Sequence, residues 1–228
     1  MTTVQTGIDI STRNGFPFLR NARVGVVCNQ ASVNSAGAHL VDLIAKHGEG
    51  QLKRIFAPEH GFRGLAQDME VIENEKHDHL EVISLYGSDS NSLKPSHDQL
   101  KDLDAVVVDL PDIGSRYYTF SQTMAYCMEI AGTTDTKVIV LDRPNPIGGT
   151  QFEGSALKHE FRSFCGIGPI ANRHGFTLGE LALLFRHGFG EGNDAIAPHS
   201  CELEVIQLEN WNRSDYMDAT GIPWVRPS

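Results

Sequence analysis

Five apolar runs in this sequence each give way to a cluster of titratable and turn-forming residues. The clusters are Asn29-Gln30, Pro58-Glu59-His60-Gly61, Tyr86-Gly87, the stretch from Asp109 through Asp112 to Tyr118, and Asp142-Arg143-Pro144-Asn145-Pro146. The Pro58–Gly61 turn has the sharpest chemical reading. Proline fixes the chain's exit from the apolar run, and glycine permits a tight turn. A carboxyl held there, next to an imidazole, suits general acid chemistry if burial favours its neutral form. Alone, the tetrapeptide reads first as a solvated turn; the other four clusters favour the chemical reading.

The other clusters leave their roles open. Asp112 or Ser115 could cap a helix that starts nearby. Arg116 would then lie in the first helical turn, where its charge opposes the helix dipole, so an anionic partner is expected. Tyr117 and Tyr118 could pack apolarly, or one phenol could donate to a ligand. Asp142-Arg143 reads as an internal ion pair or as a pocket wall, shaped by the rigid, then flexible Pro144–Gly149 turn. Arg173-His174-Gly175 precedes a capping box at Thr177 and Glu180. This places His174 near a helix N-terminus, where protonation is disfavoured and either ligand binding or a structural role is open.

Several chemistries lose support. His77-Asp78-His79, even with His60, has no standard zinc spacing. No G-x-G-x-x-G follows the first apolar run, and no P-loop or G-x-S-x-G elbow is present. The cysteines Cys28, Cys127, Cys165 and Cys201 are far apart, which argues against a disulfide framework; Cys28 and Cys127 read as core thiols. A formal charge of −10 disfavours a nucleic-acid partner. It leaves room for an anionic ligand, because a few arginines dominate at short range. No segment approaches the roughly 18 apolar residues of a membrane span. No secretory signal is visible at the N-terminus, so the sequence alone suggests a cytoplasmic location. Trp224 between two prolines near the C-terminus suggests a chain that continues into a further region.

The elements that must position these clusters are the apolar runs themselves: Val24–Cys28, Arg54–Ala57, Val82–Leu85, Ala105–Leu110 and Lys137–Leu141, with a sixth at Leu203–Leu208. They are β-branched and nearly continuous, which fits strands buried on both faces. Between them, helical spacing covers Ser35–His47, stopped at Gly48, and Ser115–Ala131, with Phe120, Met124, Cys127, Met128 and Ala131 on one face. Capping boxes at Ser96/Gln99 and Thr177/Glu180 start two more helices. Glu59–Glu81 has neither pattern and is expected to be a long active-site loop. The prediction is one Rossmann-like α/β domain over 1–228: a doubly wound, mainly parallel sheet with helices on both faces. Ligands in such sheets bind beyond the carboxyl ends of the strands, where the clusters fall.

Five motifs, in order, carry a resemblance. They are Phe56-Ala-Pro-Glu-His-Gly-Phe-Arg-Gly64, Ser84-Leu-Tyr-Gly87, Asp109-Leu-Pro-Asp-Ile-Gly-Ser-Arg-Tyr-Tyr-Thr119, Leu141-Asp-Arg-Pro-Asn-Pro-Ile-Gly-Gly149 and Arg173-His-Gly-Phe-Thr-Leu-Gly-Glu-Leu181. Together they resemble the NamZ (YbbC-like) family over nearly the whole chain. The resemblance implies an exo-acting glycosidase that releases N-acetylmuramic acid from the non-reducing end of peptidoglycan fragments. It also implies a Rossmann-like N-terminal domain and a smaller C-terminal one, with the active site in the cleft between them. Most of that second domain would lie outside this sequence.

Carried onto these positions, Glu59 is the leading catalytic carboxyl and His60 its orienting neighbour, with Asp112 and Tyr118 as further catalytic candidates. Asn29, Arg63, Tyr86, Arg116, Asp142, Arg143 and His174 are substrate-binding candidates. A second carboxyl would come from Asp112 or Asp142, or the substrate's acetamido oxygen would take that part. The lactyl carboxylate of muramic acid suits an arginine, supplied by Arg63, Arg116 or Arg143. The implied partners are peptidoglycan-derived sugars or muropeptides, no cofactor or metal is called for, and a periplasmic or secreted location becomes open. Competing readings are a non-catalytic module that binds cell-wall sugars and an enzyme that handles nucleotide sugars.

Overall fold

The β-branched runs pair into one sheet. In the computed structural model, which describes residues 3–47, 51–64, 70, 73–78, 80–87 and 90–226, the strands are β1 (Arg23–Cys28), β2 (Gln51–Ala57), β3 (Glu75–His77), β4 (Leu80–Ser84), β5 (Ala105–Asp109), β6 (Lys137–Leu141) and β7 (Leu203–Ile206). Their spatial order is β3-β4-β2-β1-β5-β6-β7. β3 runs antiparallel to β4, and every other pairing is parallel. Without β3, the parallel strands follow the 3-2-1-4-5-6 order of the Rossmann fold. The order reverses between β1 and β5, where Cys28 pairs with Asp109, so a crevice is expected beyond those two residues.

Helices cover both faces: α1 (Gly7–Arg13), α2 (Leu40–His47), α3 (His97–Leu100), α4 (Phe120–Ala131), α5 (Leu178–His187) and α6 (Met217–Thr220). Alternate strand residues feed two cores. Val27, Val106, Val108, Val138 and Val140 pack with Phe120 and Met124 of α4 and with Leu181 and Phe185 of α5. Val24, Val26, Ile55, Val107 and Ile139 pack with Ile8 of α1 and with Leu40 and Ile44 of α2. A strand that serves two cores is apolar at every position, which is why β5 is buried along its whole length. Among the described residues, no helix is long and apolar enough to cross a membrane.

The expected capping boxes form at Ser96/Gln99 and Thr177/Glu180, although α3 makes only one turn. Two helices start later than the spacing predicts. Before α2, Asn34 Oδ1 accepts the N–H groups of Ala36 and Ala38, so this side chain holds the backbone in a turn that displaces the first helical turn. Before α4, residues 115–119 are tied elsewhere: Ser115 bridges to Arg173, and the Arg116 N–H donates to Asn172 O. Helix α4 therefore begins at Phe120, and Arg116 is not in its first turn. Strand β3 falls inside Glu59–Glu81, read from sequence as a loop. Three polar residues are too few to show a period of two, and charged residues are usual on an exposed sheet edge. Gly48, His79 and parts of the Glu59–Glu81 stretch (65–69 and 71–72) lie outside the described residues.

Candidate active site

Strand β2 delivers Glu59 to the carboxyl edge of the sheet. The turn after it is tight: Gly61 N–H donates to Pro58 O, and His60 and Gly61 both take positive φ, at 69° and 78°. A histidine in that region is uncommon. Glu59 is only 5% exposed. The Thr119 hydroxyl donates to Glu59 Oε2 at 2.7 Å, so the described hydrogen bond on this carboxyl comes from Thr119, where the sequence suggested His60. Glu59 and Thr119 line a small hollow walled by Leu85, Tyr86, Leu93, Tyr126 and Phe164. The Tyr86 ring meets Phe164 edge-on at 6.0 Å. The arrangement can deliver or accept a proton at one carboxyl oxygen beside an aromatic wall.

The β5–α4 loop supplies Asp112, and the loop before α5 supplies His174. Both side chains are buried, with His174 Nε2 3.4 Å from Asp112 Oδ1. His174 Nδ1 accepts the Phe176 N–H. Nε2, although it approaches Asp112, is buried with no hydrogen-bond partner among the described residues. Asp112 Oδ1 also accepts Gly114 N–H, whereas Oδ2 is buried with no hydrogen-bond partner among the described residues. Neither Asp112 nor Ser115 caps α4: the N-cap is Thr119, whose side chain makes no capping bond. Asp112 and Arg143 line a second, small hollow at the strand-order reversal. The chain's own segment over it contributes Met217, Ile222, Pro223, Trp224 and Val225.

Arg143 is an internal ion-pair partner. Its Nε and Nη2 donate to the two carboxylate oxygens of Asp109, and Nη2 also donates to Val33 O at 2.9 Å. Asp109 is fully buried, and Arg143 is 6% exposed. Arg116, for which an anionic partner was expected, instead donates Nη1 to the carbonyls of Ser155 and Ile170. Asn29 is fully buried and builds the turn after β1: its Oδ1 accepts Ala31 N–H, and its own N–H donates to Ser32 Oγ. The Tyr118 ring packs on Phe120 at 4.5 Å and against the α4 core. Arg63 is exposed on the turn after Glu59, and Tyr86 shares the Glu59 hollow.

Asp142 anchors a helix. Its Oδ1 accepts the Gly179 N–H in the first turn of α5 at 2.7 Å, and it lines a third hollow with Glu180 and Trp211. That hollow is distinct from the one lined by Glu59, as is the hollow lined by Asp112. Burial pushes the Asp142 pKa from 3.8 to about 6, and hydrogen bonds, first from the Gly179 N–H and then from the Thr177 side chain, offset part of that rise. Because the folded value is raised, the folded protein holds the proton more tightly than the unfolded chain. Stability from this group is full below pH 4 and is lost as the pH climbs through about 6, by about 3 kcal/mol. Asp142→Asn is expected to remove that slope: urea unfolding from pH 4 to pH 7 should show the variant gaining on the parent as pH rises. Parallel curves would show that Asp142 does not titrate in this window.

The sequence-predicted residues thus fall into separate groups: Glu59 with Tyr86, Asp112 with His174, Arg143 with Asp109, and Asp142 with α5. Thr119 and Asp109, which the sequence reading did not name as site residues although both lie inside the Asp109–Thr119 motif, are the side-chain partners of Glu59 and Arg143. Comparison with known proteins then places the domain. Residues 24–228 match the family described as Exo-beta-N-acetylmuramidase NamZ, N-terminal. The chain belongs to the NamZ family. It is 38% identical over 227 residues to the peptidoglycan beta-N-acetylmuramidase NamZ of Bacillus subtilis, covering 99% of this chain and 52% of that protein. A crystal structure of a DUF1343 family protein from Bacteroides fragilis superposes with a TM-score of 0.87 at 33% identity, over 100% of this chain and 56% of that one. A second DUF1343 protein of the same organism gives 0.73 at 31% identity, over 95% of this chain and 54% of that one. This NamZ-family chain spans about half the length of the relatives it matches.

Proposed function

We propose that this chain is the Glu59-bearing half of an exo-β-N-acetylmuramidase, which releases N-acetylmuramic acid from the non-reducing end of peptidoglycan fragments. The observation that carries the reading is the buried Glu59 carboxyl at the end of β2, with one oxygen held by Thr119 and an aromatic-walled hollow beside it. In this reading Glu59 protonates the glycosidic oxygen as the bond to N-acetylglucosamine breaks. Tyr86 and Phe164 offer ring surface to the sugar. Asp112, beside His174, is the second rim carboxyl, and a region matching the second half of the relatives completes the cleft. With Arg143 and Arg116 engaged internally, Arg63 is the arginine left to meet the lactyl carboxylate.

The test is an assay of a polypeptide spanning both halves of the family length on the disaccharide N-acetylmuramyl-β-1,4-N-acetylglucosamine. Free N-acetylmuramic acid should accumulate with turnover, and blocking the non-reducing end should stop it. Saturable binding without release would replace the enzyme with a wall-sugar binding module.

A further inference from the structure

The two oxygens of the Glu59 carboxyl have different surroundings. Oε2 accepts a hydrogen bond from Thr119 Oγ1 at 2.7 Å, within a buried pair whose members are 5% and 9% exposed. A threonine hydroxyl has a single hydrogen to donate. Given to Oε2, it makes that oxygen an acceptor and leaves Oε1 to carry the acid's proton. Thr119 is also held firmly. It is the N-cap of α4, and its carbonyl accepts both the N–H and the hydroxyl of Thr123. An N-cap threonine usually turns its hydroxyl oxygen to the helix N–H groups; this one makes no capping bond and faces a residue 60 positions away. Its β-branched side chain adds stiffness at χ1.

We infer that Thr119 is a positioning residue for the glycosidic step, fixing Oε1 as the proton-donating oxygen of Glu59. The inference rests on the reading of Glu59 as the general acid. In the step, the Oε1–H bond breaks as the proton passes to the glycosidic oxygen. The anomeric C–O bond breaks with its electron pair going to that oxygen, the anomeric carbon forms its new bond to water, a carboxylate or the substrate's acetamido oxygen, and negative charge spreads over both oxygens of Glu59. The hydrogen bond from Thr119 becomes charge-assisted as this happens, so it is stronger in the transition state than in the ground state. An interaction of that kind acts on kcat more than on KM.

The test compares two substrates in each variant of the polypeptide carrying both halves. The disaccharide has a poor leaving group that needs protonation; 4-nitrophenyl N-acetylmuraminide has a good one that needs little. Thr119→Val should lower kcat on the disaccharide about tenfold or more, with KM little changed and the aryl substrate nearly spared. Thr119→Ser, which keeps the hydroxyl, should restore most of the loss. The ratio of the two rates is independent of how much protein is folded, and Thr119→Ala gives the same comparison should the valine variant express poorly. Equal losses on both substrates, or no loss on either, would overturn the inference. Glu59→Gln is run alongside. If it is inactive on the disaccharide while Thr119→Val matches the parent, the positioning role alone fails. If Glu59→Gln remains active, the general-acid reading fails with it.

Discussion

Glu59→Gln should reduce release of N-acetylmuramic acid from the disaccharide by about a hundredfold to ten-thousandfold, the range expected on losing a general acid. The substitution preserves shape, but an amide cannot supply the proton. The glutamine carbonyl can still accept the Thr119 hydroxyl in place of Oε2, so the buried pair is kept. Thermal unfolding of the variant should therefore stay close to that of the parent. Loss of activity with an intact fold assigns chemistry to Glu59, and undiminished turnover removes it from that role.

Arg143→Met should have the largest effect on stability. The guanidinium grips both oxygens of Asp109, a carboxylate with no exposure at all, at the point where β1 and β5 diverge. Removing one member of a buried pair strands the other charge, at a cost of about 3–5 kcal/mol. Arg143→Lys should recover only part of this, because an ammonium cannot reproduce the two-pronged contact. Replacing both residues, as Asp109→Leu with Arg143→Met, should be milder than the single Arg143 change. Urea unfolding measures all three. If Arg143→Met instead left stability within about 1 kcal/mol of the parent and raised KM, the arginine would be a substrate ligand after all.

The sheet was legible because burial on two faces leaves a mark at every residue. Strand β5, Ala105–Asp109, is continuous in sequence for the same reason that it is central in the fold. Strand β3 left no such mark: it is three polar residues at an edge, defined only by its pairing with β4. The late start of α4 was hidden for a related reason. What keeps residues 115–119 out of the helix is a bridge to Arg173 and a bond to Asn172, more than fifty positions away. For the site, the strand ends told where polar groups gather, but not which ones meet. Glu59 finds Thr119, Asp112 finds His174, and Arg143 finds Asp109, each across long stretches of chain. Arg116 was read by its charge, yet its partners are two backbone carbonyls, which no side-chain inventory could have proposed.

The most direct measurement is a crystal structure of the Glu59→Gln polypeptide, with both halves present, bound to the uncleaved disaccharide. The glycosidic oxygen should lie about 2.6–3.2 Å from the residue-59 side-chain atom not engaged by Thr119, with the muramic acid ring against Tyr86 and Phe164. A disaccharide bound elsewhere on the domain, or one whose glycosidic oxygen sits well beyond the reach of residue 59 even through a water, would contradict the account.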